Sequence, residues 1–494
     1  MQHSKLSDHV FKKGTFITPF NSIETMQELE DEKSWTYGRL PEYLWIGLIL
    51  KHFGRECGLR KLYSIISFLH RIAPDLSTAR MSQILKLDQN IQRDLFQYII
   101  SLGAKEALEP LTIYLTASRA PVFAELFFSG DHSANERCSI LVDAMSDIMS
   151  HQSHESTDIR FVAFFFHQLS GNFYLMKEQV ELLGSYATMS HSDERMHIAR
   201  PTVRNLEMTV LTFMDTDSEY LREFWRCVSE MTECSLFTVD FPEENRNITA
   251  YMEKLHDIFV YLSNVFVSIQ PLDEKMNVLL GIATYSYKRL KEAYEHHLFN
   301  SIAGRSCVRV LIEDYIMMKY LIKNEAAHEN IWRDYQLYGL GQYKLILTRH
   351  REAGLSDVTH FDPQYISALV NEFKDEEFIN MDTKYFDNHN IRIKADSVDE
   401  KQLYGLYYDY DSAFEHGLWG AIRESSLLKC NNPAHKYHCV PDVEDQVSLK
   451  TVLPDCIMVM NRILTFLNEQ YGIPDHLLRE VIGFEIGPFV EENP

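Results

Sequence analysis

Apolar side chains recur at three- and four-residue intervals along nearly the whole 494-residue chain, the signature of helices that bury one face. Little interrupts them. Glycine numbers 20 and proline 15, about 4% and 3% of the chain against roughly 7% and 5% in an average protein. A chain so poor in breakers excludes collagen-like and low-complexity architectures and argues against most all-β folds. We expect an all-α protein, a two-part helical bundle with few or no strands.

The pattern also suggests where elements begin and end. LPEYLWIGLILKHFG predicts an amphipathic helix that opens after Pro41, a residue tolerated in a first turn, with Leu44, Ile46, Leu48, Ile49 and Leu50 in its apolar set. Gly58 is expected to separate it from a second helix carrying Leu59, Leu62, Ile65, Ile66 and Leu69. Similar patterns cover 89–101, 102–115, 135–150, 202–213, 217–232 and 246–268, and the aromatic run RFVAFFFHQLSGNFYLM reads as a fully buried helix or strand. SLFTVDFPEENRNIT, with Pro242 and its acidic residues, reads as a connector, giving domains 1–240 and 246–494. Further on, Asp362-Pro363 predicts an N-cap followed by a helix-starting proline. A polar loop through MDTKYFDNHN follows, and Ser397 with Glu400 predicts a capping box for the tyrosine-rich helix after it.

Charge narrows the function classes. Lys plus Arg is 48 and Asp plus Glu is 71, a net charge of -23 that repels a phosphate backbone at long range. A local basic groove around Arg289, Lys291, Arg305 and Arg309 stays compatible with that balance. The eight cysteines lie scattered with no CxxC pair, which fits reduced thiols better than a disulfide framework. No apolar run approaches the ~18 residues of a spanning helix, and the N-terminus lacks a secretory apolar stretch. We expect a soluble cytoplasmic protein with no membrane partner.

Chemistry-bearing residues are densest at 415–445. Glu415, His416, Cys430, His435, His438, Cys439, Asp442 and Glu444 fall there, and Asn432-Pro433 forces a turn that swings the following histidines back. Histidines serve as acid, base or metal ligand near neutral pH. Cys430-x4-His435 and His435-x2-His438 resemble zinc-ligand spacings, yet adjacent His438 and Cys439 do not easily reach one ion and no second half of a finger follows. Neither a metal nor another cofactor is therefore expected, and the turn also reads as one locked by its own hydrogen bonds. Elsewhere Arg305, Arg309 and Glu313 stack four apart on the helix 301–322, as an anion site or as a structural ion pair. Arg160–His167 and Arg289–His296 match the Arg/His separation of helical ribonuclease toxins, at about the frequency chance allows. Walker, H-E-x-x-H and G-x-S-x-G motifs are absent, and Tyr404, Tyr407, Tyr408 and Tyr410 fit packing better than base stacking.

RSCVRVLIEDYIMMKYLI, the tyrosine-rich helix with His416, and NPAHKYH followed by Pro441 together resemble a bacterial family of unknown function with an R-x-x-x-E helix and an N-P-x-H-x-x-H turn. The resemblance spans about 246–445. It implies Arg309, Glu313, His416, Asn432, Pro433, His435 and His438 as site residues, Cys439 departing from the pattern, and its helical make-up is similar to proteins found among phage-defence genes. The leading expectation is a bacterial phage-defence or stress effector acting on RNA or nucleotides without metal. Its catalytic residues would be His416, His435, His438, Arg309 and Glu313, the histidines moving protons and the arginine steadying phosphate charge. A non-enzymatic scaffold for a protein partner or a second copy is the alternative, and a metal-dependent hydrolase using Cys430 and the histidines a further one.

Overall fold

Helices account for nearly all regular structure in the computed structural model, which describes residues 10–17, 34–171, 175–211, 216–241, 248–268, 273–353, 360–371, 387–436 and 438–482. The expected all-α class holds. Strands are short: a hairpin pairing Val10–Lys12 with Thr15–Ile17, and a three-stranded antiparallel ribbon of Leu236–Phe237, Leu427–Cys430 and Cys439–Pro441. No helix among the described residues is long and apolar enough to cross a membrane. The chain divides into two compact units, one running to Phe237 and including Lys429–Val440, the other comprising Thr238–Leu428 and the residues from Pro441.

In the first unit the helix Leu40–Phe53 starts one residue before Pro41 and, instead of the expected amphipathic stripe, is buried on all sides from Leu40 to Leu50, because its sequence is apolar around nearly the whole circumference. Such a helix must sit at the centre of its bundle. Arg55–Ile72, Ala134–Ile148 and His154–Leu169 pack around it, and a Cβ on Gly47 would stand 3.1 Å from Ile159, so the small residue permits that close crossing. The break after the central helix falls at Gly54, whose φ of 72° suits glycine, and not at the expected Gly58. Gly58 lies inside the next helix, where a Cβ would meet the Leu50 backbone at 3.1 Å. Its role is close packing.

Residues 160–169 of the aromatic run lie in the helix His154–Leu169, with Phe161, Phe164 and Phe166 in the core; the burial expected of the whole run does not extend to its end, where Met176 is exposed, and 172–174 lie outside the described residues. The expected helix 102–115 is broken into Lys105–Leu108 and a tighter 3-10 turn Glu109–Ile113 that starts around Pro110, since proline cannot supply the amide a continuous helix needs.

In the second unit the helix Ile302–Asn324 occupies the centre, packed by Glu274–Glu295, Leu453–Tyr471, Asp409–Glu415 and Ile391–Ser397. Val308, Leu311, Ile312 and Tyr315 are buried as the periodicity predicts. Ser301 caps it by accepting from the Gly304 amide at 3.3 Å. Asp362 likewise caps Pro363–Val370, accepting from Gln364 and Tyr365. The Ser397–Glu400 capping box does not form. Ser397 ends the helix Ile391–Ser397, and the Glu400 carboxylate is taken instead by Tyr315, Lys319 and Arg462 at 3.1, 2.7 and 3.1 Å. Three donors outcompete one backbone amide. The expected connector at Pro242 and the loop through Met381–Phe386 lie outside the described residues.

Candidate functional site

Residues 427–441 make a strand, a tight turn and a returning strand, and local chemistry explains the shape. The Asn432 side chain accepts from the Ala434 amide at 2.9 Å, Pro433 starts a single 3-10 turn through His435, and Lys436 adopts a left-handed φ of 52° that reverses the chain. Cys430 N–H then donates to His438 O at 3.0 Å. The turn is therefore closed by its own bonds, as expected for Asn432.

The histidine backbones bond within that turn, His435 N–H donating to Asn432 O at 3.1 Å and His438 N–H to His435 O at 3.2 Å. Their side chains also meet a group about two hundred residues earlier in the chain. Cys234 Sγ lies 3.2 Å from His438 Nε2 and 3.4 Å from His435 Nδ1, while Cys430 Sγ lies 3.6 Å from His435 Nδ1. These ligand-type atoms all fall within 4.8 Å of one another. Asn431 N–H donates to Ser235 O at 2.7 Å and Asn432 Nδ2 to Glu233 O at 2.8 Å, which clamps the turn on either side of Cys234. Ala434 is buried in the core of the same unit, and Lys436 Nζ sits 4.6 Å above the Tyr37 ring. Burial, and then the neighbouring Cys430 thiol, raise the Cys234 pKa above the ordinary thiol range.

Cys234 is the residue the sequence reading missed. Nothing local marks it, because it sits 196 positions before Cys430 and only the pairing of Leu236 with Cys430 brings it into register. Cys439, adjacent in sequence to His438, is not part of the group.

Arg309, Glu313 and His416 belong to the second unit, whereas His435 and His438 belong to the first. Arg309 and Glu313 form an ion pair at 3.3 Å. The same guanidinium donates to Tyr408 Oη at 2.7 Å and Ser412 Oγ at 3.1 Å and lies 4.7 Å over the Tyr408 ring. Burial, with Glu313 adding, pushes the Tyr408 phenol up to about 12, so it stays protonated and donates to Glu313 at 3.4 Å. His416 is exposed at the end of Asp409–Glu415. Arg305 is buried, 5.6 Å over Phe414, and donates to Phe299 O at 3.3 Å.

Of the two Arg/His pairs, Arg160–His167 is a core feature. Both side chains are buried, and burial pushes His167 down to about 4. Arg289 is tied to Glu292 at 3.0 Å and His296 is an exposed helix end.

Burial also pushes the Asp314 carboxyl up to about 7, against the hydrogen bond it accepts from Ser286 at 2.7 Å. The folded state thus binds this proton more tightly than the unfolded chain does. The stabilisation is fully present below the ordinary value of 3.8 and is lost as pH rises through about 7. Asp314→Asn lacks this titration. Urea melts of the two proteins at about pH 4 and about pH 8 should show the variant gaining relative to the parent at the higher pH; an unchanged difference between the two conditions would refute it.

The model of a family of unknown function, DUF5677, matches residues 277–435. Nothing matches among curated proteins, nor among solved structures. The matched stretch carries Arg309, Glu313, His416, Cys430 and His435, while Cys234 and His438 fall outside it.

Proposed function

We propose that this chain is a non-enzymatic helical scaffold for a protein partner in the bacterial cytoplasm, its polar clusters holding helices together. The observation that carries the reading is the engagement of Arg309. Its guanidinium meets Glu313, Tyr408 and Ser412, an arrangement that joins the central helix of its unit to the one after the tyrosine run. On the same unit Leu406 and Trp419 are 69% and 68% exposed, with Leu418 and Ile422 also at the surface. A tryptophan that open costs more to leave in water than a scattered surface leucine, and a partner that covered it would bury a large apolar area.

Arg309→Ala should therefore lower the melting temperature. Losing hydrogen bonds from a charged donor costs about 1.5–3 kcal/mol, at the low end here because the side chain is partly exposed. The purified parent should leave RNA and nucleotides intact. A parent that degrades either, with turnover lost and melting unchanged in Arg309→Ala, would overturn the scaffold reading. That outcome would establish the second one, a defence or stress effector acting on RNA or nucleotides. In its favour stand the exposed His416 imidazole and the hydroxyls at Arg309, which phosphate oxygens can replace as partners.

A further inference from the structure

The geometry points to a zinc site in the first unit, with Cys234, Cys430, His435 and His438 as its four ligands and a structural rather than catalytic role. This goes beyond the scaffold reading and does not depend on it.

Zinc–sulfur bonds of about 2.3 Å and zinc–nitrogen bonds of about 2.0–2.1 Å at tetrahedral angles put neighbouring ligand atoms about 3.3–3.8 Å apart. Three of the four sulfur–nitrogen separations are 3.2, 3.4 and 3.6 Å, within a few tenths of an ångström of tetrahedral edges. The whole group lies within 4.8 Å, so closing it on one ion takes side-chain shifts of about an ångström at most.

The second observation is the tautomer of His435. Its Nε2 faces the Ser229 and Thr232 carbonyl oxygens, each at 3.2 Å, and the Thr232 hydroxyl at 3.0 Å. A carbonyl only accepts, so Nε2 must carry the proton. Nδ1 is then the bare nitrogen, and it is the atom turned toward both sulfurs. This is the outer-shell arrangement that fixes a metal-binding imidazole, one ring N–H held by a carbonyl and the other lone pair free for the ion.

A third observation concerns Cys430. The Asn432 amide donates to its sulfur at 3.4 Å, a contact that favours thiolate over thiol. Binding releases the two thiol protons, and two thiolates then neutralise the dication within the group.

Two sulfurs and two imidazole nitrogens in a tetrahedron suit zinc ahead of the hard oxygen-seeking cations. All four positions are filled by protein, whereas catalytic zinc keeps one for water. The site is thus a clamp, binding Lys429–Val440 to the helix end and strand that carry Ser229–Phe237. It withdraws His435 and His438 from proton transfer and leaves the hydrolase reading without an open coordination position.

The test uses the full chain purified without chelators, then stripped and reloaded with zinc or cobalt. Elemental analysis should find one zinc per chain. The cobalt form should show the visible bands of a tetrahedral thiolate centre, and X-ray absorption of the zinc form two sulfur and two nitrogen neighbours. Cys234→Ser should weaken zinc retention against a competing chelator by more than the ~10–100-fold typical of losing an outer-shell partner, while Cys439→Ser retains zinc like the parent. No stoichiometric metal either before or after zinc loading would overturn the proposal. So would a different set of neighbours, loss of zinc in Cys439→Ser, or parental retention in Cys234→Ser. If Cys234→Ser fails to fold, the absorption spectrum of the parent still decides the ligand set.

Discussion

Glu207→Ala should cost about 3–5 kcal/mol of stability, the loss expected when one partner of a buried ion pair is removed and the other is left charged. Here two charges are left. Glu207, buried in the helix Met196–Leu211, accepts from Arg39 and lies 3.8 Å from Arg160 Nε. Both guanidiniums stand over the Trp35 ring, at 5.5 and 4.6 Å from its centre. Burial, followed by repulsion from Arg39, pushes Arg160 down to about 9, which shows how uncomfortable a second cation is in this position. Taking away the carboxylate removes the acid whose attraction counters that repulsion. Glu207→Gln keeps the shape and an acceptor oxygen and should lose less. Chemical denaturation of the three proteins decides the matter, and equal stability of Glu207→Ala and the parent would show that the cluster is solvated.

Asp158→Ala should cost a similar amount, about 3–5 kcal/mol. The carboxylate is buried and accepts from Arg55 Nε at 3.0 and 3.1 Å, from Tyr186 Oη at 2.7 Å and from His191 Nε2 at 3.1 Å. Arg55 in turn donates to the carbonyls of Tyr186 and Met189 at 2.9 and 2.5 Å, so one acid orients the side chain that holds the end of the helix Lys177–Tyr186 and the loop after it. Without Asp158 the guanidinium keeps its carbonyl partners but loses its counter-charge. A double-mutant cycle with Arg55→Ala should show a coupling energy of at least about 1 kcal/mol, because the two residues share one network. Additive losses would mean that Asp158 and Arg55 act independently.

Much of the architecture was legible because it is local. Helix faces follow from spacing within a few turns, which is why Val308, Leu311, Ile312 and Tyr315 are found buried and why Asp362 caps its helix. Local rules failed where a longer-range partner won. The Ser397–Glu400 box lost Glu400 to Tyr315, Lys319 and Arg462, and the break assigned to Gly58 moved to Gly54 because Gly58 is needed for a close helix crossing. The Cys/His group is the sharpest case. Three of its members lie within nine positions and were noticed, but three ligands make no tetrahedron.

The sequence by itself determined the helical class, the faces that go inward and the turn that carries His435 and His438, because each depends on residues a few positions apart. Tertiary structure decided that Cys234 completes the group and that Lys429–Val440 belongs to the first unit. Contacts across two hundred residues leave no periodic trace, and they exist only once strand pairing and core packing have offset the entropy of closing so long a loop.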